Sequence, residues 1–451
     1  MHPIVPPQGR MPFWRHPSRS MAIGLACLMA LGTALLLLPP ATPRPGSAPL
    51  RTAFFTAASA ASVTGLGVVD TGTYWSPFGQ VIILALIQVG GLGVMTSASL
   101  VAVLIAGRMG LRSRLAAEYE TRAMSLSTVR RVVGGAALVS LVAEASVAAV
   151  LTGRLWLCRG YPFGHALWYG TFHAVAAFNN AGFSLWPDKL IPFATDPWII
   201  IPITLAVVVG GLGFAVVFEV IRVRPARSWS VHTKTTLAIT AVLFVMGPLV
   251  LFVSEARNPH TLGALDAPGR LLAGGFSGIA ARTAGLNTID YGQATPVTLL
   301  FTDILMFIGG GSGSTAGGMK VTTLAILIMA VVAEARGDRD VDIFGRRMSP
   351  ATIRQALAVA TLGMIVLLGG SLILLEITGL PLDHVLFEVT SALCTVGLST
   401  GITAHLPAAG QYLLVALMYV GRIGSITVVT ALALRNTNRA YRSPEGRPHV
   451  G

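Results

Sequence analysis

Apolar runs of about twenty residues or more recur eight times along this chain, at 21–40, 78–106, 132–153, 197–221, 233–254, 296–333, 355–378 and 409–434. A helix needs about 20 mostly apolar residues to cross a bilayer, so each run predicts a membrane span. The runs come in pairs. Between the members of each pair lies a shorter stretch rich in small residues: "FFTAASAASVTGLG", "TFHAVAAFNNAGFS", "GGFSGIAARTAGLN" and "LFEVTSALCTVGLS". About eleven helical residues rise only about 16 Å, half the apolar thickness, so each stretch is expected to enter the membrane and return. Each carries a glycine near its end, Gly65, Gly182, Gly285 and Gly397. Three place a phenylalanine ten residues earlier, Phe55, Phe172 and Phe387, and the third has Gly275 there with Phe276 beside it.

These glycines are 117, 103 and 112 residues apart, and a second glycine mark follows each of them. The marks are "VGGLG" from Val89, "VGGLG" from Val209, "IGGGSG" from Ile308 and "VGRIG" from Val420; their first glycines, Gly90, Gly210, Gly309 and Gly421, fall 25, 28, 24 and 24 residues downstream. One such pair is an ordinary helix-packing device. Recurrence at matched distance in four units makes a long internal repeat. The reading is an all-α integral membrane protein with four pseudo-symmetric helix, pore-loop, helix units around one central pore. Unit 1 covers 21–106 with its pore loop at 52–66, unit 2 covers 132–221 with 166–183, unit 3 covers 233–335 with 270–286, and unit 4 covers 355–434 with 384–398. Tails at 1–20 and 435–451 and links at 107–131, 222–232 and 336–354 complete the chain.

Composition agrees: of 451 residues 53% are hydrophobic and only 11% charged, with a mean hydropathy of +0.71, whereas soluble domains carry about 25% charge. The net charge of +13 does not mark a nucleic-acid binder, because the basic residues sit between apolar runs. Lys and Arg number 3 in 1–20, 6 in 107–131, 4 in 222–234, 5 in 336–354 and 4 in 435–451, against 10 elsewhere, two of which, Lys320 and Arg422, fall inside apolar runs. By the positive-inside rule both termini are cytoplasmic, the chain is a multi-pass protein of the cell membrane, and the four loops open outward. Residues 21–40 exceed the apolar core of a signal peptide, and the repeat requires them as a retained span. Cys27, Cys158 and Cys394 match neither a disulfide framework nor a metal-ligand spacing.

Non-helical backbone at membrane depth is tolerated only inside protein or beside a water-filled cavity, so four re-entrant loops imply a pore. The candidate ion ligands are backbone carbonyls of Val63, Thr64, Gly65, Asn180, Ala181, Gly182, Thr283, Ala284, Gly285, Thr395, Val396 and Gly397. Thr395-Val396-Gly397 resembles the filter of tetrameric potassium channels, where four loops replace an ion's hydration shell with carbonyl oxygens. On "VTGL", "FNNAGF", "ARTAGLNT" and "CTVGLSTG" the chain resembles the Trk/Ktr/HKT superfamily of potassium transporters over nearly all of residues 21–434. Its length and eight spans are similar to the Ktr-type membrane subunit. The resemblance implies potassium passing down its gradient, with K+ as transported ion and no cofactor in this chain. It implies a homodimer and a separate cytosolic ring of RCK-type nucleotide-binding subunits on the basic links. In related plant proteins a serine in the first unit accompanies sodium preference; Gly65 here implies potassium.

Two marks depart from the repeat. In unit 3 the mark expands to "GGGSGSTAGGMK", residues 309–320, where each glycine costs a helix about 1 kcal/mol relative to alanine. The helix is expected to break there, and 309–319 resembles the family's intramembrane gating loop, with Gly309, Gly310, Gly311, Ser312, Gly313, Ser314, Thr315, Gly317, Gly318 and Lys320 as gate residues. In unit 4 Arg422 stands where units 1 and 2 have Gly91 and Gly211. A charge at helix centre costs about 2.5–3.5 kcal/mol on insertion scales, so Arg422 is expected to face the pore level with the loop, and it resembles the family's pore arginine. Arg282 is expected either to pair with Glu388 or Asp303 or to reach outer water; His173 reads as a packed or rim residue. The competing function is a secondary transporter coupled to Na+ or H+. An enzyme is disfavoured by the lack of a nucleophile elbow, a phosphate-binding glycine loop or a metal-ligand spacing.

Overall fold

The computed structural model describes residues 17–43, 46–106, 126–223 and 225–434. Residues 1–16 and 435–451 and most of the first link lie outside the described residues. Fifteen helices are present among the described residues. Unit 1 holds α1 (Pro17–Leu36), the pore helix α2 (Leu50–Ala61), a single turn α3 (Thr71–Tyr74) and α4 (Pro77–Ala106). Unit 2 holds α5 (Leu126–Arg159), pore helix α6 (Phe163–Phe178), α7 (Pro197–Leu212) and α8 (Phe214–Arg222). In unit 3, α9 (Val231–Glu255) and pore helix α10 (Ala267–Ala280) precede α11 (Pro296–Phe307) and α12 (Val321–Arg336). Unit 4 consists of α13 (Pro350–Thr378), pore helix α14 (Leu382–Leu393) and α15 (Ala408–Leu434).

Proline punctuates the repeat. The helix after each loop begins at Pro77, Pro197 or Pro296, and Pro407 precedes α15; the missing N–H falls where a helix leaves its donors unpaired anyway. Asp196 and Thr295 cap α7 and α11 by accepting hydrogen bonds from the backbone N–H groups of Trp198 and Thr298. The pore helices are 12, 16, 14 and 12 residues long, too short to cross the membrane.

By length and apolar character, three helices qualify as spans among the described residues, Gly134–Arg159, Val231–Glu255 and Pro350–Thr378, and α7 with α8 makes a fourth if the bent pair is one span. Their outward faces carry large exposed apolar side chains, Leu157, Val253 and Leu372 among them, as a lipid-facing surface requires. The units follow one another around a ring: α4 packs on α5, α7 on α10, α12 on α13, and α15 closes the circle on α1 and α2. Tyr419 on α15 seals that junction by donating from its hydroxyl to the Ala22 carbonyl at 2.9 Å.

Two second spans are not straight. Between α11 and α12 the chain leaves the helix from Ile308 to Lys320, as the glycine run predicts. The reading of 197–221 as one continuous span is corrected: the helix breaks at Gly213 (φ +91, ψ 143), and α8 turns 99° away from α7. That backbone region is open to glycine and strained for other residues. A Cβ at Gly213 would also come within 2.7 Å of the Ser312 carbonyl oxygen, so the break in unit 2 faces the loop in unit 3. The third link folds into a hairpin of β1 (Asp342–Ile343) and β2 (Arg346–Arg347) around Phe344-Gly345, both at positive φ.

Candidate functional site

The four loop glycines meet. All have positive φ, +92 at Gly65, +69 at Gly182, +63 at Gly285 and +90 at Gly397. A Cβ added to Gly65 would lie 2.5 Å from Cα of Gly182, one on Gly182 would lie 3.1 Å from Cα of Gly285, one on Gly285 3.0 Å from Cα of Gly397, and one on Gly397 3.0 Å from Cα of Gly65. Each strand therefore touches the next, and the fourth returns to the first. All twelve expected strand residues are buried. Two positions before the glycine, Val63, Asn180 and Thr395 also have positive φ (57, 56 and 49), which turns successive peptide groups and costs a non-glycine residue about 1–2 kcal/mol. Thr283 is not among these, so the third strand departs from the pattern. The pore helices end immediately before the strands, and the negative ends of their dipoles therefore approach the ring.

The second glycine marks hold the ring up from behind. A Cβ at Gly90, Gly210 or Gly421 would collide with the carbonyl of Ala61, Phe178 or Leu393, in each case four residues before the ring glycine. In unit 3 the equivalent Gly309 packs instead on Gly317 of its own loop. Ser59 and Ser391, each six residues before a ring glycine, accept from the N–H groups of Gly65 and Gly397, both at 3.0 Å. After the fourth strand the chain turns back to the pore helix, where Glu388 accepts from Ser399 Oγ (2.5 Å), the Thr400 N–H (3.0 Å) and Thr403 Oγ1 (2.6 Å). His173, at the matching position of unit 2, is fully buried, stacks on Trp186 at 3.8 Å and accepts at Nε2 from the Leu185 N–H at 3.3 Å.

Arg282 is corrected on both expected counts. It is buried, and it meets neither Glu388 nor Asp303: one terminal nitrogen donates to the Gly309 carbonyl at 3.0 Å, and the guanidinium lies over Phe244 at 5.0 Å. Glu388 is held by hydroxyl and amide donors of its own unit, and the arginine bonds a carbonyl at the start of the glycine loop.

The loop crosses beneath the ring. The Gly311 N–H donates to the Gly211 carbonyl at 2.9 Å, and Thr315 Oγ1 donates to that of Gly210 at 3.2 Å. Asn180 ties loop to ring: its amide nitrogen donates to Thr315 Oγ1 (2.9 Å), and its amide oxygen accepts from Thr283 Oγ1 (2.9 Å). On the far side, a Cβ at Gly317 would collide with the Cys394 carbonyl and Thr395 Oγ1. Arg422, 3% exposed, donates from Nη1 to the Thr315 carbonyl at 2.6 Å and from Nη2 to that of Gly90 at 3.4 Å. Lys320 Nζ donates to the Ala316 carbonyl at 2.6 Å. The loop is thus held by unit 2 through Gly210 and Gly211 and by unit 4 through Arg422, which also reaches the Gly90 carbonyl of unit 1.

Two participants escaped sequence reasoning. Gly213 sits in the same "VGGLG" that marks the repeat, and because the unbroken first unit carries the identical sequence, no local signal flags it. Lys189 is an isolated lysine in the loop after the second strand. Its Nζ donates to the carbonyl oxygens of Gly285 (2.5 Å) and Gly397 (3.0 Å), across the ring from its own unit. Burial pulls its ammonium down to about 8, partly opposed by the Glu388 carboxylate.

Comparison with known proteins agrees with this architecture. Residues 41–440 match the TrkH family, described as a cation transport protein. The chain is 39% identical to Ktr system potassium uptake protein B of Bacillus subtilis, over 96% of this chain and 97% of that one. It is 33% identical to potassium/sodium uptake protein NtpJ of Enterococcus hirae, covering 95% and 96%. Among solved structures it superposes on the potassium transporter TrkH of Vibrio parahaemolyticus with a TM-score of 0.73 at 18% identity, covering 95% of this chain and 87% of that one.

Proposed function

Because the chain belongs to the TrkH family of cation transport proteins, we propose that it takes up potassium across the cell membrane by channel-like conduction through the ring of Gly65, Gly182, Gly285 and Gly397. The closed contact of the four strands carries this reading. An ion entering from outside exchanges water for strand carbonyls, while the pore-helix ends supply partial negative charge at no reorganisation cost. The potassium uptake named for the Bacillus relative fits that site. The NtpJ name includes sodium, and Gly65 argues for potassium here.

Gating falls to residues 309–319 with Arg422. Between Thr315 on Asn180 and Gly317 against Thr395, the loop lies across the exit, and the Arg422 guanidinium adds a fixed positive charge beside it. Removing one unit charge near the path changes a cation's energy by about 1–4 kcal/mol, depending on how wet the cavity is, or at least about fivefold in rate. We therefore expect Arg422→Ala and deletion of 310–317 each to raise Rb+ flux into liposomes by at least about fivefold. Parent-like flux in both variants would rule out the gate. The Ktr names describe a system of parts, and the basic hairpin around Phe344 offers a cytoplasmic face to a nucleotide-binding ring, with two copies of this chain per assembly.

A further inference from the structure

The ring described above has a cation already in reach of it, and that cation belongs to the protein. Lys189 lies at φ +50, a left-handed conformation that a lysine adopts only where the surroundings impose it. Those surroundings are rigid. The Lys189 N–H donates to the Trp186 carbonyl at 3.1 Å, Trp186 is stacked on buried His173, and the next residue, Leu190, is fully buried and donates its N–H to the Asn287 carbonyl of the third unit at 3.2 Å. The strained backbone delivers the side chain over the ring. Its ammonium makes no direct ion pair: none of those among the described residues involves Lys189, and Glu388 acts on it only at longer range. The ammonium finds the carbonyl oxygens of Gly285 and Gly397 instead.

Those two oxygens belong to the set that would coordinate a dehydrated ion at the outermost position of the ring. An ammonium carries the same unit charge as an alkali cation and satisfies carbonyl oxygens at similar distances. We propose that Lys189 is a tethered competitor for the outer ion site: with its side chain in, it holds the Gly285 and Gly397 carbonyls and repels an arriving cation, and an ion binds there only when the flexible stem swings the ammonium out. This inference rests on the four strands being the ion-binding ring. It adds that the site is self-occupied, so external cation affinity is set by competition with a side chain, independently of the gate beneath.

Equilibrium binding of Rb+ to the purified full-length protein tests this without requiring an open pore. Lys189→Met, which keeps the stem and removes the charge, is expected to bind Rb+ at least about threefold more tightly than the parent, and Lys189→Arg to stay at or below parent affinity. Lys189→Cys should behave like Lys189→Met, then return to parent affinity after external treatment with a thiol reagent that adds an aminoethyl group, but not with one that adds a methyl group. The treated parent controls for the exposed Cys27 and Cys158. Parent-like affinity in Lys189→Met, weaker binding in it, or no response of Lys189→Cys to the cationic reagent overturns the competitor. Gly65→Ser run in parallel separates the two levels. If Gly65→Ser weakens Rb+ binding while Lys189→Met matches the parent, only the lysine inference fails; if Gly65→Ser has no effect, or no variant binds Rb+, the ring itself is not the ion site and both readings fall.

Discussion

At Gly65 glycine is required twice over. The backbone sits at φ +92, and a Cβ would strike the Ala181 carbonyl of the neighbouring strand. The sequence shows the first requirement as a recurring glycine and hides the second, because contact between residues more than a hundred positions apart leaves no local trace. Lys189 was hidden for the same reason: nothing in "PDKL" says that two distant glycine carbonyls receive its ammonium. Its lowered proton affinity, to about 8, makes a pH prediction. Below that value the ammonium competes for the outer site; above it the neutral amine does not. Of the charged groups around it, Glu388 favours the proton and Asp188 is its chain neighbour, while strands 285–287 and 397–400 carry no titratable side chain. Rb+ binding to the parent should therefore tighten between pH 7 and 9, and remain flat in Lys189→Arg, whose guanidinium stays charged.

At the scale of elements, the break in unit 3 was legible because six glycines in ten positions defeat a helix. The break at Gly213 was not. Units 1 and 2 share "VGGLG", yet α4 runs through its copy and α7 stops, because Gly213 faces the Ser312 carbonyl of the loop. Local sequence is the same and the neighbour differs. The bent helix and the loop thus form one mechanical unit. Gly213→Ala forces an alanine into a glycine-only backbone region and a Cβ against Ser312, which should cost about 1–3 kcal/mol. The expected readouts are a lower unfolding temperature and raised Rb+ flux; a parent-like unfolding temperature would show that the bend relaxes without strain. Arg282, by donating to the Gly309 carbonyl at the start of the loop, belongs to the same unit.

Over the whole molecule, four units of one chain surround a single axis, as the repeat spacing implies. They are not equivalent. The third unit lacks the positive φ two positions before its glycine and contributes the loop, the second contributes the bend and Lys189, and the fourth contributes Arg422 and the Thr-Val-Gly strand. The repeat gives the ring; divergence of single residues places the glycine loop and Arg422 on one side of it and Lys189 on the other. The central claim, that the four strands form one potassium-selecting filter, is tested most directly by the permeability of K+ relative to Na+ in liposomes, measured side by side for the parent and Gly65→Ser. The account predicts a clear preference for K+ in the parent that falls markedly or vanishes in Gly65→Ser, because distortion of one strand disturbs the contact shared by all four. An equal K+ to Na+ ratio in the two proteins would contradict it.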